Sequence, residues 1–353
     1  MSGTSLSFMG WVIRNMATSW IVLKETNSMT VVGLVGALPS FVVLIVAPIG
    51  GSLSDKIDKT TLLIIGKGVA ALASVLLAVC IIFYSSPLII TLCLFLTLIA
   101  IGNGIELAAN QNLFIDIVGE QNILRANSVG TFFNNLCNII GPLIGSVLIN
   151  SYSVFSLLWF FALTNFITLL LISLLRITPK ANDNANSDYT FSEGLKYINA
   201  NSNLKILLLL GSTLMFWGFT QPILPKIADS ILKIGGSGYG VLLAAGGLGG
   251  IFGAIFSGIF SHKIRNSKTL IISLFGNTVF MILFAFSSNY ILSVILLAGT
   301  GFFASIWFLI LTVLVQLTPS YEYRGRVVGL FHSILSLLGI GFILGGILGD
   351  IIG

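Results

Sequence analysis

Charged residues are scarce in this chain of 353 residues, at 8% of the sequence, whereas an ordinary soluble domain carries about 25%. Apolar residues make up 56%. A surface that faces water on all sides cannot be built from this composition, which indicates a membrane protein. The formal excess of +5 is spread over separate loops and forms no basic patch with interleaved aromatic residues. We therefore expect no nucleic-acid binding.

Cysteine and histidine are also scarce, with three and two residues. Cys80, Cys93 and Cys137 fall within apolar runs and are most simply small buried hydrophobic residues. His262 and His332 stand alone, which argues against a metal site. No P-loop and no pairing of a nucleophile with a base is visible. We expect no metal, no cofactor and no enzymatic activity.

Long apolar runs are what the sequence has in abundance. Backbone polar groups in a membrane are satisfied within a helix or a closed barrel. The runs lack the alternation of barrel strands and reach the roughly 20 residues that a spanning helix needs. We predict an all-α integral membrane protein with eleven spans, near residues 3–23, 31–54, 61–84, 88–112, 126–149, 154–175, 204–224, 238–261, 268–287, 291–317 and 327–349.

The positions of lysine and arginine predict the orientation of these helices, because basic loops stay on the cytoplasmic side. With the N-terminus in the cytoplasm, most basic residues lie at or near the inner face, and we count Lys67 among them. Only Lys24, Lys226 and Lys233 then lie outside. The longest polar stretch falls on the inner side in this arrangement.

That polar stretch, residues 176–205, divides the chain into a bundle of six helices over 1–175 and a bundle of five over 206–353. Within it, Thr190 and Glu193 fit a capping box that opens a short amphipathic helix. We interpret the stretch as a cytoplasmic linker; a partner site is the alternative.

The two bundles repeat each other. Segment 51–60 aligns with segment 258–267 and shares Gly, Ser, Lys and Ile at matched places. Arg125 and Gly130, at the start of the fifth span, match Arg324 and Gly329 at the start of the eleventh. Parallel repeats of this kind occur in secondary transporters. Chance similarity between apolar helices is the alternative.

Two motifs carry a family resemblance. One is the loop pattern formed by Gly51, Leu53, Asp55, Lys56 and Lys59, and the other is the glycine-proline element formed by Gly141, Pro142 and Gly145. With them the chain resembles the major facilitator superfamily, and in particular its drug:proton antiporter-3 group, which includes macrolide efflux proteins and enterobactin exporters. The resemblance implies a fold of two pseudo-symmetric bundles in a bacterial cytoplasmic membrane. It also implies a twelfth helix, for which the chain up to Gly353 has no further span.

The resemblance further implies that helices 1, 4, 7 and 10 line a central cavity. Each of these segments carries polar or aromatic side chains, and polar groups rarely face lipid. Interhelical hydrogen bonding or packing is the alternative for the uncharged residues. The candidate residues of the substrate and proton pathway are Arg14, Thr18, Asn103, Glu106, Asn110, Trp217, Gln221 and Trp307.

Arg14 and Glu106 differ from the other candidates because a charge in mid-membrane is costly without a partner or a watery cavity. Their depths in the membrane differ by only about 5 Å at 1.5 Å per residue, so we expect them to pair. We interpret Glu106 as the carboxylate that carries the transported proton. A static ion pair is the alternative, and a cationic substrate would compete for the same carboxylate.

Asp55 is the expected gate residue. A carboxylate at that place would cap the positive N-terminus of helix 11 and pair with Arg324 or Arg326, which would link the two bundles. Together these features predict a monomeric secondary transporter that exports a small molecule in exchange for protons by alternating access. The alternatives are a receptor or assembly factor without transport, or the remnant of a truncated transporter.

Overall fold

The computed structural model describes residues 2–54, 57–83, 88–118, 123–174, 197–260, 267–319, 327, 330–331 and 333–352. Within these residues the chain is all-helical, as the apolar runs predict. The six helices that precede the predicted linker are α1 (Ser2–Thr26), α2 (Met29–Ser54), α3 (Lys59–Phe83), α4 (Leu88–Val118), α5 (Ile123–Ser151) and α6 (Ser156–Ser173).

Five spans follow the linker, and the first of them is broken. We label them α7 (Ser202–Ile231), α8 (Gly235–Ile259), α9 (Ser267–Ala285), α10 (Tyr290–Leu317) and α11 (Leu338–Ile352). Ten described helices are long and apolar enough to cross a membrane, and all of the predicted spans except the first are among them. The exception is α1, a continuous helix of 25 residues whose apolar run is interrupted by Arg14. The exact number of spans stays a prediction.

The break in α7 follows from its sequence. The hydroxyl groups of Ser212 and Thr213 donate to the carbonyls of Leu209 and Leu210, and such bonds compete with the helical backbone ladder. Further along, Pro225 has no N–H to give to that ladder. The helix therefore passes through short segments and ends in a π-helical turn, Ile227–Ile231. Turns of this kind often lie at functional sites.

Large apolar side chains cover the outside of the bundle, as expected for a surface that meets lipid. Examples are Leu72, Phe275 and Phe286, all largely exposed. The interior is closely packed, with one apolar cluster that joins α1 and α2 to α8 and α10. Contacts between the helices before and after the linker run mainly through two pairs, α5 with α8 and α2 with α11.

Glycine brings α3 and α4 close together. A Cβ atom built on Gly66 would lie 2.7 Å from the carbonyl oxygen of Gly102 and 3.0 Å from the backbone nitrogen of Glu106. No side chain other than hydrogen fits there. Close backbone approach through small residues is the usual means of packing helices in membranes. It also fixes the neighbouring Lys67 and Glu106 relative to each other.

We expect Gly66→Ala to lower the thermal stability of the purified protein, because the new methyl group meets backbone atoms; overpacking of this kind costs about 1–3 kcal/mol. Gly68→Ala is the matched control, since a Cβ at Gly68 has no neighbour within 4 Å and alanine is the better helix former by about 0.5–1 kcal/mol. Equal melting temperatures for the two variants would contradict the close approach.

Candidate functional site

A narrow cavity with a mixed polar and apolar lining lies in the bundle, between helices that precede the predicted linker and helices that follow it. The volume that the centre of a water molecule can occupy in it is about 20 Å³, which is room for about one water. The residues that line it are Arg14, Asn15, Thr18 and Ser19 of α1, Val32, Val35, Gly36 and Pro39 of α2, Leu96 of α4, Gln221 and Pro222 of α7, and Phe342 of α11.

Arg14 is the one charged residue among the lining residues of this cavity. Its side chain is only 2% exposed. Nη2 donates to Oδ1 of Asn15 over 2.8 Å, and the guanidinium carbon lies 5.7 Å from the ring centre of Phe161. Its buried Nε has no hydrogen-bond partner, and neither has Oγ1 of Thr18 one turn further along. One N–H donor of the buried guanidinium is thus unpaired.

The predicted pair between Arg14 and Glu106 is wrong. Glu106 pairs with Lys67 instead, with Oε2 at 3.3 Å from Nζ, and Lys67 also donates to Oγ of Ser7. The side chain of Lys67 is fully buried, whereas that of Glu106 is 12% exposed. The position of Lys67 at or near the inner face stays a prediction, but its burial in an ion pair was not foreseen. It lies two turns inside α3, where the glycine contact with α4 brings it to the carboxylate.

The other predicted cavity residues are dispersed. Gln221 lines the cavity beside Thr18 and Arg14. Trp217 is 42% exposed on the outer surface of α7, and Trp307 is buried in an apolar cluster with α7. Asn103 is half-buried on α4, one turn before Glu106. The side chain of Asn110 lies outside the described residues.

Polar links join the two parts of the chain where α1 ends and α2 begins. We call this end of the bundle the latch end. Lys24 of α1 forms an ion pair with Asp229 in the π-helical turn of α7, at 2.7 Å. Lys226 donates to the side chain of Asn27 at 2.6 Å. The break in α7 places both of its latch residues. The π-helical turn begins directly after Lys226, and Asp229 lies within it.

The third link of the latch end caps a helix. Asp350, near the end of α11, accepts hydrogen bonds from Oγ of Ser28 at 2.6 Å and from the backbone nitrogens of Met29 and Thr30, both at 2.8 Å. These are the first residues of α2, where backbone N–H groups have no partner within the helix and the helix dipole favours an anion. The carboxylate therefore holds α11 to α2.

The glycine-proline motif of α5 lies at the contact with α1 and α8. A Cβ on Gly145 would lie 2.7 Å from Sδ of Met16. Oγ of Ser146 lies 2.9 Å from the carbonyl oxygen of Pro142 and 2.8 Å from that of Ser237 on α8. Gly141 faces Val12 of α1. In this conformation the motif thus contributes to close helix packing across the two parts of the chain.

Most of the predicted gate lies outside the described residues. These are Asp55, Lys56, Arg324 and Arg326. For Gly51 and Lys59 the structure describes only the backbone. The latch involving Asp55 stays a prediction. The links at the latch end were not predicted from the sequence. Their partners are about 200 residues or more apart in the sequence; Lys24 and Asp229, for example, are separated by 205 positions.

Comparison with known proteins places the chain among transporters. The model of a family described as transmembrane secretion effector, within the major facilitator superfamily, matches residues 2–350. The enterobactin exporters EntS of Escherichia coli O1:K1 and of Shigella boydii serotype 4 are each 25% identical over 315 residues, which cover 87% of this chain and 74% of the relative.

Solved structures share the fold. A bacterial homologue of the human lysosomal transporter Spinster, in an inward-facing and unoccupied conformation, superposes with a TM-score of 0.73 at 15% identity and covers 97% of this chain and 79% of its own. The nucleoside transporter NupG gives a TM-score of 0.69 at 16% identity, with 99% of this chain and 91% of its own covered.

We expect Asp350→Asn to open the latch end, because the amide loses the charge and one acceptor oxygen that hold α2. Charge-assisted hydrogen bonds contribute about 1.5–3 kcal/mol each when they are shielded from water. The bonds of Asp350 are largely exposed and therefore weaker, so we expect their loss to raise the population of the open state by about fivefold. Lys24→Gln should act more weakly, because an exposed ion pair contributes at most about 1 kcal/mol.

Spin labels at Glu25 and Ile231, both exposed at the latch end, would report the change as a longer interlabel distance in electron paramagnetic resonance. Lys233→Gln is the matched control, since it removes an exposed charge at the same end. An unchanged distance distribution in Asp350→Asn would contradict a latch.

Proposed function

This chain belongs to the transmembrane secretion effector family of the major facilitator superfamily, and from that premise we propose that it exports a small molecule across a bacterial cytoplasmic membrane in exchange for protons. The family and the structural neighbours are transporters, and the curated relatives are exporters. Efflux is therefore favoured over a receptor or assembly factor without transport. The name of the relatives supports a siderophore-like molecule as the first substrate to test; a drug is the other class.

Transport by alternating access requires that the cavity open to one side at a time. Three polar links close the latch end, and the cavity has room for about one water. We take this conformation to be closed toward the outside, with the N-terminus and the linker in the cytoplasm and the chain acting as a monomer. The predicted gate around Asp55 would close the opposite, cytoplasmic end when the latch end opens.

The ion pair of Glu106 and Lys67 is the observation that supports proton coupling. The carboxylate of Glu106 is slightly exposed and its partner Lys67 is fully buried, so a carboxylate with a counter-charge lies within the helical bundle. When the bundle opens outward, a proton would bind Glu106 and release Lys67. When it opens inward, the proton would leave and the pair would form again. Protons and substrate would then move in opposite directions.

Cysteine labelling tests the orientation. In a variant without Cys80, Cys93 and Cys137, we expect a cysteine at Glu25 to react with an impermeant maleimide from outside the cytoplasmic membrane. A cysteine at Lys268, exposed at the opposite end of the bundle, should react only after the membrane is opened. Reaction at Lys268 and not at Glu25 in sealed right-side-out vesicles would reverse the proposed topology.

We expect Glu106→Gln to abolish export of enterobactin driven by a pH gradient in membrane vesicles while substrate exchange without a gradient persists. The amide keeps the shape of the side chain and cannot ionise, so it cannot carry a proton. Normal gradient-driven export by Glu106→Gln would place proton coupling elsewhere.

The single variant leaves Lys67 without its counter-charge, and breaking a buried pair costs about 3–5 kcal/mol. The double variant Lys67→Gln with Glu106→Gln removes both charges and should restore normal expression and melting temperature without restoring gradient-driven export. A merely structural pair predicts the opposite, namely that the double variant folds and exports normally.

A further inference from the structure

The charges inside the bundle do not balance. Three described side chains well inside the spans are of charged residue types, namely Arg14, Lys67 and Glu106. Glu106 and Lys67 neutralise each other. Arg14 has no carboxylate partner among the described residues; its one hydrogen bond goes to the neutral side chain of Asn15. The uncompensated charge of the interior is therefore positive and lies at the central cavity.

A buried cation without a counter-charge is unfavourable, because desolvation is compensated only by an opposite charge or by several hydrogen bonds. A guanidinium has five N–H donors in a planar fork that matches a carboxylate or a similar anion. The contact with the face of Phe161 offsets only part of the desolvation. The side chain of Arg14 lines the cavity, and its buried Nε has no hydrogen-bond partner.

We propose that Arg14 is the anchor of the substrate site and that the exported molecule carries an anionic group on an apolar or aromatic body. The inference rests on the proposed export function, since a bundle that never opens would admit no ligand to this cavity. It differs from the earlier hypothesis of a cationic substrate at Glu106, which would have to displace Lys67 from that carboxylate.

The remaining lining of the cavity fits such a molecule. Thr18, whose Oγ1 has no partner, and Gln221 offer neutral polar groups near the guanidinium. Val32, Val35 and Phe342 form an apolar wall opposite α1. Few polar groups in an apolar cavity are typical of small-molecule sites. The cavity is small here because the latch end is closed, so the ligand enters only when the bundle opens.

The anion site is distinct from the proposed proton site. Ser7, which contacts Lys67, lies seven residues before Arg14 on α1. Seven residues are close to two helical turns, so both face the same side of α1, about 10 Å apart along its axis. The two sites can therefore fail independently when they are mutated.

A binding measurement without any gradient tests the inference separately from proton coupling. The full chain in lipid nanodiscs is titrated with 2-naphthoate, 2-naphthamide and 2-naphthylmethylamine, which share a ring system and differ in charge, and binding is measured by thermal stabilisation against empty nanodiscs. We expect stabilisation by the carboxylate and little by the amide or the amine.

Arg14→Gln should weaken binding of the carboxylate by about tenfold or more, as expected for loss of a charged hydrogen-bond donor, whereas Arg14→Lys keeps part of it. The ligand-free Arg14→Gln protein should melt no lower than the wild type, because it loses an unpaired buried charge; a structural arginine would make it less stable. Lys268→Gln removes an exposed charge far from the cavity and serves as the control.

Equal stabilisation by the three naphthyl compounds would overturn the inference. So would no stabilisation by any of them, or undiminished carboxylate binding by Arg14→Gln. These results would leave the export proposal intact, and loss of coupling in Glu106→Gln would leave carboxylate binding intact.

Discussion

The absence of water and counter-ions in the hydrocarbon core is the constraint on which this structure depends. Every polar group that enters the membrane-spanning bundle must find its partner within the protein or at a cavity. The chain meets this constraint with very few charges. Lys67 and Glu106 form a pair where glycine contacts allow α3 and α4 to approach, and Arg14 lines the cavity between α1, α2, α4, α7 and α11 without a carboxylate partner among the described residues. Arg14 is therefore the residue at which we expect an anionic ligand to bind most favourably.

The same constraint shapes the exchange of substrate and proton. An anion at Arg14 and a proton at Glu106 carry opposite charges and attract each other, so binding of one would not displace the other. Direct competition between the two is therefore a poor coupling mechanism. In the proposed cycle, coupling would instead come from the helices, which would expose the two sites to one side of the membrane at a time. The latch around Lys24, Asp229 and Asp350 would act on that equilibrium between conformations.

Outward movement of an anion against inward movement of a proton transfers net positive charge into the cell. The inside-negative membrane potential favours this transfer by about 2.3 kcal/mol per charge per 100 mV. After the anion leaves, the empty carrier with Arg14, Lys67 and a protonated Glu106 is positive, and the same potential favours its return inward. The balance of buried charges thus fits an exporter of anions.

Sequence patterns predicted the helical fold well and the site only in part. Continuous apolar runs determine the spans, so their approximate positions follow from the order of apolar residues along the sequence. The ion pair was misassigned because depth along two helices places Arg14 and Glu106 at similar levels without showing which faces meet. Lys67 was detectable as a lysine inside an apolar run, but it was counted with the basic residues at or near the inner face and not considered as a partner of Glu106. The Asp350 cap joins residues more than 300 positions apart, which no local pattern reveals.

The most direct test of the account follows protons and substrate together. Proteoliposomes that contain the purified chain and a pH indicator in the lumen are given an outward gradient of enterobactin and no initial pH gradient. The account predicts that the lumen becomes acidic as substrate leaves and that Glu106→Gln shows no such change. Substrate efflux with an unchanged lumen pH, or with protons leaving alongside it, would contradict proton exchange.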